Sequence, residues 1–141
     1  MKIKVLLISL LISSSLFAWG EEGHKLITKH AINLLPKEMA AFKNFGSYLV
    51  EHSSDADKRR NDDPAEFPKH FIDIDYYSEF NFGRMIYDKQ QLIAIYGDSI
   101  VTAMGILPWT TLETMNNLTN AFKEKNRDKV LILAADLAHY V

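Results

Sequence analysis

The chain of 141 residues contains no cysteine. Disulfides therefore cannot hold its fold together, and any metal site must use nitrogen and oxygen ligands rather than thiolates. The chain also has little net charge, because its 18 acidic and 16 basic residues leave a formal net charge of only −2. Such a balance provides no overall field that would attract nucleic acid or anionic lipid. An anionic ligand would have to be drawn by a local feature, such as a bound cation.

Long apolar runs are rare, and the one from Val5 to Phe17 stands behind Lys2 and Lys4 and ahead of Ala18. A basic start, a short apolar stretch and a small residue are typical of a secretory signal peptide. The stretch is too short and too rich in serine for a membrane span, which needs about 20 apolar residues. We predict that residues 1–18 are a cleaved signal peptide and that the product is exported to the periplasm or outside the cell. The alternative is an uncleaved N-terminal anchor.

Residues 19–141 have the length of one ordinary domain, and their apolar periodicity predicts an all-α, multi-helix fold. Two stretches lack a clear helical pattern. Ser53 to Lys69 is polar and is predicted to be a functional loop, and His70 to Asp75 alternates like a short strand or an extended segment. The predicted helices are residues 24–34, 37–51, 88–97 and 99–107, one starting near Pro108, and a central last helix, 129–141, capped by Asp128.

The last predicted helix reaches Val141 in the middle of its apolar pattern, without a glycine or a breaker. A helix end without partners for its last carbonyl groups is unusual. We therefore expect this sequence to be the N-terminal part of a longer protein.

Nitrogen ligands for a metal are available at both ends of the chain. Cleavage after Ala18 would free the amine of Trp19, which begins the run Trp-Gly-Glu-Glu-Gly-His that ends at His24. His139 lies on an almost wholly apolar helix, where a polar ring needs a partner. Asp136, one turn earlier, would orient that ring for metal binding, or it would simply provide a hydrogen-bond partner for a histidine with a structural role. The remaining histidines are His30 and His52, interpreted as surface or core residues, and His70, which follows an acidic loop.

Three motifs together resemble the zinc-dependent phospholipase C and single-strand-specific nuclease superfamily. They are Trp-Gly-x-x-Gly-His at residues 19–24, Ala-Asp at 56–57 one loop before His-Phe-Ile-Asp at 70–73, and Leu-x-His-Tyr at 137–140. The resemblance covers residues 19–141 as the N-terminal part of the family domain. It implies an all-helical zinc hydrolase fold with three zinc ions in a cleft.

The resemblance also implies a ligand set. Trp19 would bind one zinc through its amine and carbonyl oxygen, and His24 would bind the same ion. Asp57 and His70 would bind a second zinc, and His139 would join them. Asp57 fits the family pattern of Ala-Asp followed closely by a basic residue, and it would also position or deprotonate the attacking water. Asp55 stays open as the ligand, because the family's loop length varies.

The chain departs from the family in two respects. The family expects a bridging aspartate four residues after the histidine that matches His139, then a Pro-x-His segment and a further histidine with an acid. All of these would fall beyond Val141. The tryptophan that precedes Ala-Asp in the nucleases is replaced by Asp55.

The function implied by the resemblance is hydrolysis of phosphodiester bonds by a metal-activated water, without an obligate protein partner. The substrate is a phospholipid head group or single-stranded nucleic acid. A run of aromatic residues after His70 would stack a base, cage a quaternary ammonium group, or simply pack in the core. The alternative function is a non-catalytic zinc-binding or structural helical module, or an inactive fragment lacking the C-terminal ligands. The aromatic residues are Phe71, Tyr76, Tyr77, Phe80 and Phe82.

Overall fold

A computed structural model describes residues 20–81, 83–84 and 86–141, with only the backbone described at Asn81. The predicted signal peptide, Trp19 and Phe82 lie outside the described residues. Over the described part, the chain is helical and contains no strand, so the predicted all-α class is confirmed. None of the helices in that part combines the length and apolar character needed to cross a bilayer.

The helices follow one another with short connections. The α-helices are α1 (Glu21–Asn33), α2 (Gly46–His52), α3 (Asp55–Arg59), α4 (Ser78–Asn81), α5 (Lys89–Tyr96), α6 (Asp98–Ala103), α7 (Leu107–Lys123) and α8 (Arg127–Tyr140), and the 3-10 helices are Lys37–Phe45, Phe67–His70 and Ile74–Tyr76.

Helix α8 is central, as predicted from its apolar character, and packs against α7, α2, α3 and α1. Leu131 and Ala135 of α8 form one buried core cluster with Leu49 of α2. A second cluster, built on Leu92 of α5 and Val101 of α6, lies beside the start of α7. Burial of apolar side chains against α8 holds the ends of several helices close together.

The polar stretch predicted as a loop between Ser53 and Lys69 is partly helical, so that prediction was wrong in part. Asp55 and Asp57 occupy the first turn of α3, and Lys58 and Arg59 its last turn. Acidic residues at the start of a helix and basic residues at its end favour helix formation through the helix dipole. This short turn carries Asp57 toward α8.

Other boundaries also differ from the prediction. The stretch predicted as a helix over 37–51 is a 3-10 helix at Lys37–Phe45 before α2, and the helix predicted over 99–107 spans Asp98–Ala103. Helix α8 begins at Arg127, because the side chain of Asn126, and not of Asp128, accepts a hydrogen bond from the Lys129 N–H at 3.1 Å. The alternating stretch after His70 forms no strand. Phe71 is extended, with φ −153° and ψ 172°, and a 3-10 turn follows at residues 74–76.

The turn between α6 and α7 holds the segment that carries His70. The backbone N–H of Ile106 donates a hydrogen bond to the carbonyl oxygen of Pro68 at 2.6 Å. Gly105 precedes it with φ +87°, a conformation that favours glycine. A Cβ at this position would lie 2.7 Å from the carbonyl carbon of Phe71 and closer still to its oxygen. Glycine therefore permits the close backbone crossing that positions His70.

Candidate metal centre

Four polar side chains from separate parts of the sequence meet in one cleft. His24 lies in the first turn of α1, Asp57 in α3, His70 at the end of a 3-10 helix, and His139 in the last turn of α8. All four line a cleft of about 480 Å³. Gly20, the residue that follows Trp19, lines the same cleft.

Asp57 lies among the three imidazole rings. Its Oδ2 is 3.7 Å from His24 Nε2, and its Oδ1 is 3.5 Å from His70 Nδ1 and 3.8 Å from His139 Nε2. His70 Nδ1 and His139 Nε2 are 3.1 Å apart. Ligands on a tetrahedral zinc, with bonds of about 2.0–2.1 Å, are separated by roughly 3.3 Å. The His24, Asp57 and His139 group could therefore hold a metal ion. His70 lies beside two members of this group, Asp57 and His139.

The orientation of His139 is set by a backbone group. The Nδ1–H of the ring donates to the carbonyl oxygen of Ser53 at 3.0 Å, because a carbonyl can only accept. Nε2 is then left without a proton and faces Asp57 and His70. Asp136 was expected to orient this ring. It instead accepts a hydrogen bond from Arg59 Nη2 at 2.9 Å, so that expectation was wrong.

Burial disfavours the protonated form of two of these rings, His70 and His139. The pKa of His139 falls to about 4, first because the ring is buried and second because His24 lies beside it. Burial also lowers the pKa of His70, although the carboxylate of Asp57 opposes this shift. A neutral imidazole is the form that binds a metal ion. At neutral pH, His70 and His139 can therefore act as ligands without first losing a proton.

The structure separates the two aspartates that the sequence left open. The Asp55 carboxylate is 2.6 Å from His52 Nδ1 and accepts a hydrogen bond from Lys58 Nζ at 2.9 Å. It does not line the cleft, whereas Asp57 does. His30 is exposed on α1, and His52 pairs with Asp55, so neither of the two histidines set aside in the sequence analysis joins the cleft.

The aromatic residues after His70 do not line the cleft among the described residues. Tyr77 is buried in the second core cluster, and its ring packs edge-on against Tyr76 and Tyr96 at centroid distances of 5.8 and 5.3 Å. Phe80 is exposed. Core packing thus accounts for Tyr77.

A buried polar network behind His70 was not found from the sequence. It connects Glu66 with Lys69, Tyr140 and the Arg59–Asp136 pair. The one signal that could have pointed to it is the spacing of four residues between Glu66 and His70, which places both on one side of a helical turn.

Comparisons with protein-family models, curated proteins and solved structures found no match to this chain.

Proposed function

We propose that the chain is an exported, zinc-dependent phosphodiesterase of the zinc-dependent phospholipase C and single-strand-specific nuclease superfamily, with the multi-helix fold of that group. The observation that carries the proposal is the convergence of His24, Asp57, His70 and His139 in one cleft. These side chains come from four separate segments, and they are four of the five ligands that the motif resemblance implies, the fifth being Trp19.

The donor set favours zinc over harder cations. Three of the four side chains offer imidazole nitrogens, whereas magnesium and calcium prefer oxygen ligands alone. His139 has the hydrogen bond behind the ring that zinc-binding histidines usually have. The free amine of Trp19 would supply a further nitrogen beside Gly20, which lines the cleft.

Zinc held by these residues would lower the pKa of a water molecule toward neutrality and offset negative charge on a phosphoryl group. Asp57 directs both carboxylate oxygens into the cleft and would orient that water and accept its proton. Arg60 lines the cleft with Nη1 3.8 Å from Asp57 Oδ1 and would donate hydrogen bonds to a phosphate oxygen. The cleft thus combines ligands, a base and a cation for phosphodiester hydrolysis.

The experiment measures metal and turnover together. The chain beginning at Trp19 is purified, its zinc content is measured by elemental analysis, and it is assayed side by side on single-stranded nucleic acid and phosphatidylcholine. Asp57→Asn should reduce both bound zinc and turnover. Asp55→Asn removes the same charge two residues away, where the carboxylate faces His52, and should retain the zinc of the parent.

Each outcome separates the alternatives. Turnover on one substrate and not the other identifies the substrate class. Bound zinc without turnover on either substrate favours the non-catalytic zinc-binding module. A purified chain that neither binds zinc nor hydrolyses either substrate overturns the proposal.

A further inference from the structure

Within the part of the chain that the structure describes, one buried nitrogen of His70 has no hydrogen-bond partner. Nδ1 faces the cleft, 3.5 Å from Asp57 Oδ1, whereas Nε2 points away from it and is unpaired. A buried polar group without a partner destabilises the fold, because it has lost its hydrogen bonds to water without gaining others. The nearby acidic group is Glu66, whose Oε1 lies 3.6 Å from Nε2. This gap is just longer than a hydrogen bond.

Glu66 is itself held firmly. Its side chain is 3% exposed. Lys69 Nζ donates a hydrogen bond to Oε2 at 2.8 Å, the hydroxyl of Tyr140 donates to Oε1, and Arg59 Nη2 lies 3.6 Å from Oε1. A buried carboxylate is tolerated only when such partners compensate its lost hydration. These contacts leave Oε1 beside His70 and able to accept a hydrogen bond from one more donor.

The proton on His70 can take two positions. His139 Nε2 carries no proton, because Nδ1–H donates to Ser53. The 3.1 Å contact between the two rings therefore requires the proton of a neutral His70 on Nδ1, the nitrogen that faces the cleft. In that tautomer, Nε2 presents a lone pair to the Glu66 carboxylate. Moving the proton to Nε2 would pair it with Glu66 and free Nδ1 as a ligand.

We propose that Glu66 is a positioning residue for the metal centre: it accepts the Nε2–H of His70 and thereby leaves Nδ1 as the ligand nitrogen beside Asp57 and His139. The inference rests on the proposed function, because it assumes that the cleft binds zinc. A carboxylate behind a ligand histidine orients the ring, selects its tautomer and raises its basicity. The proton change is internal to His70 and needs no other reactant.

Glu66→Gln tests the inference because it keeps the shape of the side chain and removes its charge. The zinc Kd, measured by competition with a chelator, should rise at least about 10-fold. Asp136→Asn is the control, since it neutralises a half-buried carboxylate of the same network that faces Arg59 and not His70. Asp136→Asn should leave the zinc Kd close to that of the parent, even if it lowers the free energy of unfolding as much as Glu66→Gln does.

A second measurement uses the parent protein alone. Long-range ¹H–¹⁵N correlation spectra of the zinc-loaded parent report which His70 nitrogen carries the proton, and we expect Nε2. If Glu66→Gln does not fold, this spectrum decides. A proton on Nδ1, or a Glu66→Gln variant with the zinc Kd of the parent, overturns the role of Glu66 and leaves the zinc site standing. A parent that binds no zinc overturns both proposals.

Discussion

The backbone crossing at Gly105 should be the most sensitive position of the scaffold behind the candidate metal centre. Gly105→Ala combines two costs. The residue must adopt a positive φ of 87°, and its Cβ must displace the backbone of Phe71. A non-glycine residue in such a conformation costs about 1–3 kcal/mol. Displacing packed backbone atoms adds about 1–3 kcal/mol.

Gly97→Ala provides the matched control. Gly97 has nearly the same φ, +86°, but a Cβ there meets nothing within 4 Å. Its substitution therefore carries the conformational cost without the overlap. The free energy of unfolding should fall further for Gly105→Ala than for Gly97→Ala, by about 1–3 kcal/mol.

Urea denaturation followed by circular dichroism measures both variants. The zinc Kd should also rise for Gly105→Ala, because the displaced segment carries His70, and should not rise for Gly97→Ala. If Gly105→Ala costs no more stability than Gly97→Ala, the close crossing does not exist as described. If stability falls but zinc binding is unchanged, the crossing does not position His70.

Three further predictions concern other parts of the chain. In zinc-free protein, His139 has a pKa of about 4 against 6.5 in the unfolded chain, so the unfolded chain binds more protons between these values. The free energy of unfolding should fall by about 2 kcal/mol from pH 8 to pH 5. In urea titrations, His139→Gln should show a smaller decrease over the same pH range. Lys125, at φ +54° after α7, occupies a position that favours glycine, so Lys125→Gly should raise the free energy of unfolding by up to about 1 kcal/mol. Lys123→Gly, at the last residue of α7, should lower the free energy of unfolding instead. Extra residues retained ahead of Trp19 would convert its amine to an amide, a poor ligand; elemental analysis should then find less zinc, and an unchanged zinc content would remove Trp19 from the site.

The elements that the sequence predicted well are those with a strong local signal. Asp88 caps α5, because its side chain accepts a hydrogen bond from the Gln91 N–H at 3.0 Å. Pro108 lies in the first turn of α7, where a backbone N–H would have no partner within the helix, so the missing N–H of proline costs nothing. Helix α8 was predicted to be central from its apolar faces. Caps, proline positions and apolar periodicity are properties of neighbouring residues, and they act before distant parts of the chain meet.

By itself, the sequence determined the all-α class, most helices and the residue types from which a metal centre could be built. The tertiary structure alone decided which of Asp55 and Asp57 faces the cleft, because the two residues lie on different sides of α3. It alone supplied the carbonyl of Ser53 behind His139 and placed Glu66 behind His70. A backbone carbonyl has no residue-specific signal, and a buried ion network depends on which segments pack together. Such partners are chosen by packing between segments far apart in the chain, and local patterns carry little information about that packing.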